Sequence, residues 1–149
     1  MKTLSENKKA YFDYDILETF EAGLVLTGQE VKSIRLGRAS LKGAYVVLKD
    51  EEAYLIGANI PAYQPKNAPS DYDAERLRKL LLNKSEIKHL IGKSKEKGFT
   101  LIPLKIYAKN AKIKLAFGIG KGRKKTDKRE VIKQRETKRE MEKELKTRG

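Results

Sequence analysis

Three sets of residues in this 149-residue sequence have the types and spacing that chemistry requires. Asp13 with Asp15, and Asp71 with Asp73, stand two apart, as carboxylates do when they hold Mg²⁺ for phosphodiester cleavage. The glycines of "GIGKGRKKT", residues 118–126, suggest phosphate binding, and His89 is the one histidine able to act as a base. Each set has a plainer reading. One Asp pair would share the solvent face of a strand, and the other lies in a turn-rich stretch where Asp bonds its own backbone. The glycines match neither GxGxxG nor GxxxxGK[ST], and His89 falls on a lysine-rich helix beside its apolar stripe, as a surface or boundary residue would. Catalysis has little to work with.

Charge points elsewhere. The formal net charge is +14, and from Gly118 to Gly149 there are 13 Lys plus Arg against 6 Asp plus Glu, so +7 lies in the last 32 residues. An excess of that size makes a polyanionic partner the leading expectation, nucleic acid ahead of an anionic membrane surface. "RLRKLLLNK" packs Arg76, Arg78 and Lys79 beside leucines, and Lys112 and Lys114 share a strand face. With "GKGRKK" following on the same strand, a continuous basic track is expected, its glycines letting the backbone approach phosphates. Tyr11, Tyr45, Tyr54 and Tyr107 have rings that can stack on bases, although tyrosines on strands more often pack. The chain has no cysteine, which suits a reducing cytosol. The N-terminus lacks the apolar stretch of a secretory signal and no apolar run approaches a membrane span, so a cytoplasmic protein is expected.

The elements that must position these residues read as follows. "YFDYDILETFEAGLVL" predicts a long strand bent near Ala22 and Gly23. Thr27 and Glu30 have capping-box spacing and open a short helix, "TGQEVKSIR", which Gly37 stops. "AYVVLKD" and "AYLIGANI" form a hairpin through "DEE". "PAYQPKNAPSDYDAE" is an irregular loop. Leu77, Leu80 and Leu81 recur at i, i+3, i+4 and predict a helix over "AERLRKLLLN"; a second helix covers "SEIKHLIGKSKEKG", with Gly98 just past its end. "TLIPLKIYA" and "KIKLAFGIG" are strands flanking "KNA", with Pro103 at an edge or bulge. Short strands broken by a few helices give a mainly β fold, a small antiparallel OB-like barrel of about six strands over residues 1–119, followed by a basic tail, 120–149.

The blocks "NKKAYFDYDILETFEAGLVLTGQEVKSIRLGRASL", "RLRKLLLNKSEI", "LIPLKIY" and "GKGRKKTDKRE" occur in an order and at spacings that closely resemble the SmpB (SsrA-binding protein) family, over nearly the whole chain. The resemblance implies a six-stranded OB-like barrel with flanking helices and a C-terminal tail that is disordered in the free protein. It implies a trans-translation factor without enzymatic activity, cofactor, catalytic residue or metal site. Such a protein binds the tRNA-like domain of transfer-messenger RNA, enters the empty A site of a stalled ribosome and replaces the missing anticodon arm. Its partners are that RNA and the ribosome, with elongation factor Tu a further one through the charged RNA.

Carried over residue by residue, the resemblance implies an RNA surface of Asn7, of Glu30, Lys32 and Ser33 in the EVKS helix, of Arg78, Lys79 and Leu81 in the RKLLL helix, and of Lys121, Gly122, Arg123 and Lys124. The tail residues Asp127, Lys128, Arg129, Lys133, Arg135, Lys138 and Arg139 would meet the decoding centre and the vacant mRNA channel. Two positions depart from many relatives: Gln29, where Thr or Trp is common, a harmless change at an exposed first helical turn, and Thr126, where His or Tyr is usual before DKR. Glu30 has a capping role that alone would account for it. The rival readings are a general OB-fold RNA binder and a metal-dependent nuclease using the Asp pairs.

Overall fold

Two tight turns set the direction of the sheet. Asp50 and Glu51, and again Asn110 and Ala111, have φ between 49° and 64°, the paired left-handed conformation whose twist matches that of the strands it joins. The computed structural model describes residues 1–123, together with Arg135, Glu136 and Arg139. The strands are β1 (Lys2–Glu6), β2 (Tyr14–Leu24), β3 (Tyr45–Lys49), β4 (Glu52–Ile56), β5 (Arg78–Leu81), β6 (Phe99–Lys109) and β7 (Lys112–Gly122). Over residues 1–123 the helices are α1 (Ala10–Asp13), α2 (Gly28–Arg35) and α3 (Lys84–Ser94), with a 3₁₀ turn at Pro65–Asn67.

All pairings are antiparallel, in the order β1-β6-β7-β2-β5-β4-β3. The mainly β reading therefore holds, with seven strands rather than about six. The hydrogen-bonded ladder does not close, although β3 comes up against β6 as the sheet curls. Two strands escape the sequence reading: β5, "RKLL", and β1, "KTLSE", a short polar edge strand. Pro103 sits at a register shift in β6, where its missing N–H costs least.

The leucine stripe at 77–81 is not helical. Residues 78–81 are strand β5, hydrogen-bonded to β2 on one side and β4 on the other. Sheet alternation turns Arg78 and Leu80 inward and leaves Leu77 and Leu81 exposed, so the apolar spacing never described a buried helical face. α2 begins as expected, Thr27 closing a reciprocal capping box with Glu30, while α3 begins at Lys84 behind an unread capping box of Asn83 with Glu86. Gly37, at φ +76°, ends α2, whereas α3 stops at Ser94, before the left-handed Gly98.

The main core lies inside the curled sheet, around Phe117, Leu115, Ile34, Leu55 and Ile106. A second, smaller cluster of Ala10, Ile102 and Leu104 lies outside, joined by Tyr14, Ile16 and Ala116, and α1 contributes to it. The expected long strand from Tyr11 is thus interrupted: Asp13 closes α1 and Asp15 is on β2, so this Asp pair does not share one strand face. Gly118 and Gly120 exist for this outer packing. A Cβ at Gly118 would lie 2.8 Å from Ile16 Cγ2, and one at Gly120 would lie 3.0 Å from the Asp15 carbonyl, so neither glycine is available to a phosphate.

Candidate nucleic-acid interface

The register lines up residues on the outer face of four adjacent strands, of which Tyr107 is covered by its neighbours. Tyr107 stands opposite Lys114, Lys114 opposite Gly23, and Gly23 opposite Leu81, so β6, β7, β2 and β5 present one row. At about 4.8 Å between neighbouring strands, Lys114 and Leu81 are roughly 10 Å apart in backbone position. Gly23 keeps that row low: a Cβ there would meet the Leu81 Cβ at 3.2 Å. Beside the row, Lys105 lies over the Tyr107 ring at 5.4 Å and the Tyr107 phenol donates to Glu21. That hydrogen bond, with Lys109 at 3.6 Å, holds the Glu21 carboxyl below the usual carboxylate range. Burial, with the Glu21 charge, pushes the Tyr107 phenol upward.

Lys79 and Leu81 also line a cleft of about 550 Å³ between the β4–β5 edge and α3, where Lys84 and Lys88 join them. Lys79 Nζ lies 2.9 Å from Glu52, which accepts a second bond from Tyr54; these bonds lower the Glu52 carboxyl, and the bond to Glu52 raises the Tyr54 phenol. Leu81 is thus exposed, and Lys79 is half-exposed and paired with Glu52.

Glu30, Ser33 and Arg78 are buried. Glu30 is 1% exposed and Arg78 fully buried, and the two meet in the interior. Arg78 Nε and Nη2 approach Glu30 Oε2 at 2.7 and 2.6 Å, Nη1 donates to the Ala58 carbonyl at 2.8 Å, and Nη2 also reaches the Ala74 carbonyl at 3.0 Å. Arg76 Nη2 closes on Glu30 Oε1 at 2.5 Å, and the same oxygen accepts from the Thr27 N–H. Burial alone would raise the Glu30 carboxyl, but Arg76, Thr27 and Arg78 overrule it and hold the group below the usual range. Expected as RNA contacts, Glu30, Ser33 and Arg78 present almost no surface in this fold. Arg78, through the Ala58 and Ala74 carbonyls, and Glu30, through Arg76, tie the loop 57–77 to the barrel. Ser33 is buried in α2, and among the described residues its hydroxyl has no hydrogen-bond partner.

Gln29 is not idle. Its Oε1 accepts from the backbone N–H groups of Tyr63 at 3.0 Å and Gln64 at 3.3 Å, pinning the same loop. Asn7 is part-buried: Nδ2 donates to the Pro103 carbonyl at 2.9 Å, and the side chain lines a groove of about 820 Å³ with Lys8, Lys9, Lys42 and Tyr45. Lysines in that groove escaped the sequence reading because Lys42 stands alone in the chain; only the "NKK" run hinted at them.

The basic track along β7 is broken. Lys112 and Lys114 share a parity that Lys121 does not, and Lys114 and Lys121 are roughly 24 Å apart along a strand. Lys121 lies instead over the Phe99 ring at 4.9 Å, at the other end of the sheet. Arg123 is tied to the end of α1 by its N–H on the Asp13 carbonyl at 2.8 Å and to the start of β2 by Nε on the Tyr14 carbonyl at 3.3 Å, and Gly122 has open space where a Cβ would stand. Arg135 and Arg139 are exposed helical residues; Lys124, Asp127, Lys128, Arg129, Lys133 and Lys138 lie outside the described residues, as does the expected tail disorder.

The remaining chemistry-bearing groups stay apart. His89 Nε2 lies 3.0 Å from Glu18 Oε2 at the surface, and Asp73 accepts from the Glu75 N–H as a turn residue does. Among the described residues no group of three or more His, Cys, Asp or Glu side chains is placed to hold a metal ion. Nor, among them, is any helix long and apolar enough to cross a membrane.

Against known proteins, residues 4–147 match the family model described as SmpB protein. The chain belongs to the SmpB family. It is 48% identical over 148 residues to the SsrA-binding protein of Thermosynechococcus vestitus, covering 99% of this chain and 97% of the relative. Its identity to the SsrA-binding protein of a Sulfurihydrogenibium species is 50% over 145 residues, covering 97% and 95%. A solved SmpB-related chain, described under "tmRNA-SmpB: a journey to the center of the bacterial ribosome", superposes with a TM-score of 0.67 at 41% identity, over 85% of this chain and 92% of that one. The SmpB likeness thus extends through the barrel and into the region beyond Arg123.

Proposed function

We propose that the chain is an RNA-binding factor of trans-translation: it binds the tRNA-like domain of transfer-messenger RNA, carries it to stalled ribosomes and stands in for the anticodon arm. The observation that carries this reading is membership of the SmpB family over residues 4–147. Exposed, outward-facing cations and apolar groups on a rigid sheet fit the role, since phosphates take the lysines while Leu81 offers an apolar contact to sugar or base. The RNA-binding residues proposed are Asn7, Lys32, Lys79, Leu81, Lys121, Gly122, Arg123 and Lys124, with the basic tail entering the empty mRNA channel. Glu30 and Arg78 act behind them as positioning residues, while Ser33 is buried in α2. The protein acts in the cytoplasm as a binder and not as a catalyst, and elongation factor Tu reaches it through the charged RNA.

The test is recovery and sequencing of the RNA bound to the protein in its native cells. One dominant RNA with a tRNA-like end is expected. A broad mixture of structured RNAs would return the chain to a general RNA binder.

A further inference from the structure

The loop 61–77 contains one aromatic residue held in a way its packing does not require. Tyr63 belongs to neither hydrophobic cluster and is only partly buried. Its backbone is clamped at both ends by α2 and the turn after it: the N–H donates to Gln29 Oε1 at 3.0 Å, and the carbonyl accepts from Arg38 Nη1 at 3.1 Å. The ring itself carries only the exposed Lys32, whose Nζ lies 5.5 Å from the centroid. Tyr54, Tyr72 and Tyr107 differ in that their hydroxyls bond Glu52, the Ile60 carbonyl and Glu21. Among the described residues, the Tyr63 hydroxyl has no such partner.

We propose that Tyr63 and Lys32 form a nucleotide-stacking site, in which an unpaired base of the RNA partner lies on the Tyr63 ring and Lys32 turns to the adjoining phosphate. The inference deepens the reading of the chain as an RNA-binding factor and rests on it. A stacked base outweighs the exposed ammonium it displaces. The lysine loses nothing by moving, because its four-carbon arm carries a point charge that a phosphate accepts as readily as a ring does. The backbone clamp supplies what a stacking site on a loop otherwise lacks, a ring held in place before binding. A source in transfer-messenger RNA and one in ribosomal RNA share this chemistry.

Because Gln29 and Arg38 hold the Tyr63 backbone and not its side chain, the ring can be exchanged without releasing the loop. The sequence contains no tryptophan, so Tyr63→Trp introduces a single indole reporter into the full chain. Quenching of that indole by the isolated tRNA-like RNA domain is the result that places the base in transfer-messenger RNA; quenching by ribosomes alone places it in ribosomal RNA. In parallel, Tyr63→Leu is expected to weaken binding to the quenching RNA roughly ten- to hundredfold with an unchanged melting temperature, and Tyr63→Phe to bind as the unmodified chain does. An indole unquenched at saturation by both ligands, or equal affinity of the Leu and Phe variants, overturns the site and leaves Tyr63 a loop anchor. Failure of the unmodified chain to bind either ligand is a different result, since it removes the RNA-binding reading itself.

Discussion

Arg78 and Glu30 meet in the interior with two guanidinium nitrogens, Nε at 2.7 Å and Nη2 at 2.6 Å, on a single carboxylate oxygen. Removing one partner of such a pair leaves the other charge buried and uncompensated. Glu30→Gln is therefore expected to lower unfolding stability by roughly 3–5 kcal/mol, more than the ~1 kcal/mol of a lost cap. Urea unfolding measures it, and an unchanged midpoint would contradict the buried pair. Adding Arg78→Met should restore much of the loss.

The same carboxylate makes stability sensitive to acid. Its folded pKa is depressed below the ordinary value of 4.5, so its contribution is present above that value and drains away as pH falls through the folded one. Tyr107 carries the opposite sign: its phenol is raised from 10.0, so its contribution is complete below pH 10.0 and is lost above it. Melting temperatures across the pH range should fall at both ends, with Glu30→Gln blunting the acid limb and Tyr107→Phe the alkaline one.

Gly118 and Gly122 look alike in sequence and differ in surroundings. Gly118→Ala places a Cβ 2.8 Å from Ile16 Cγ2 and should cost ~1–3 kcal/mol, whereas Gly122→Ala meets nothing within 4 Å and should stay within about 0.5 kcal/mol. Equal stabilities would undo the packing explanation for the glycines.

With a net charge of +14, RNA affinity should fall roughly 10³-fold or more between about 50 and 200 mM salt. Titrations of the tRNA-like domain at several salt concentrations give the slope directly. A flat response would argue against phosphate contacts as the main source of affinity.

Cutting the chain after Thr126 keeps every strand and every helix of the barrel, the last strand ending at Gly122. The truncated protein should melt as the full chain does and still hold transfer-messenger RNA, while peptide tagging on stalled ribosomes is abolished. Retained tagging would make the tail's charge incidental; lost RNA binding would move the tail into the RNA site.

Local signals were legible where local physics decides. The Thr27–Glu30 capping box, the two hairpins and the glycine stop at Gly37 need only neighbouring residues. The strand at Arg78–Leu81 was not legible, because its conformation is imposed by β2 and β4 and its inward charge is compensated by Glu30, 48 positions earlier. For the same reason the candidate site was half visible. Lys79, Leu81 and Lys114 stand out by type, but only register shows that Leu81 and Lys114 share one face across Gly23, and only burial removes Glu30 and Arg78 from it.

The pairing of Lys2 with Ala108 and of Tyr14 with Gly122 has a consequence for synthesis. The first two strands find their main partners only among the last two, so these contacts close loops of about a hundred residues, which slows folding and delays it until the far strand exists. During translation, β2 emerges early and waits with its edge unsatisfied until residue 122 has left the ribosome. A nascent chain halted before β7 can pair only β2, β5, β4 and β3 along this half of the sheet, and the edge of β2 that β7 covers stays open to aggregation or proteolysis. The fold is thus reached only by chains read nearly to the end, and a broken message for this protein yields no half-active product.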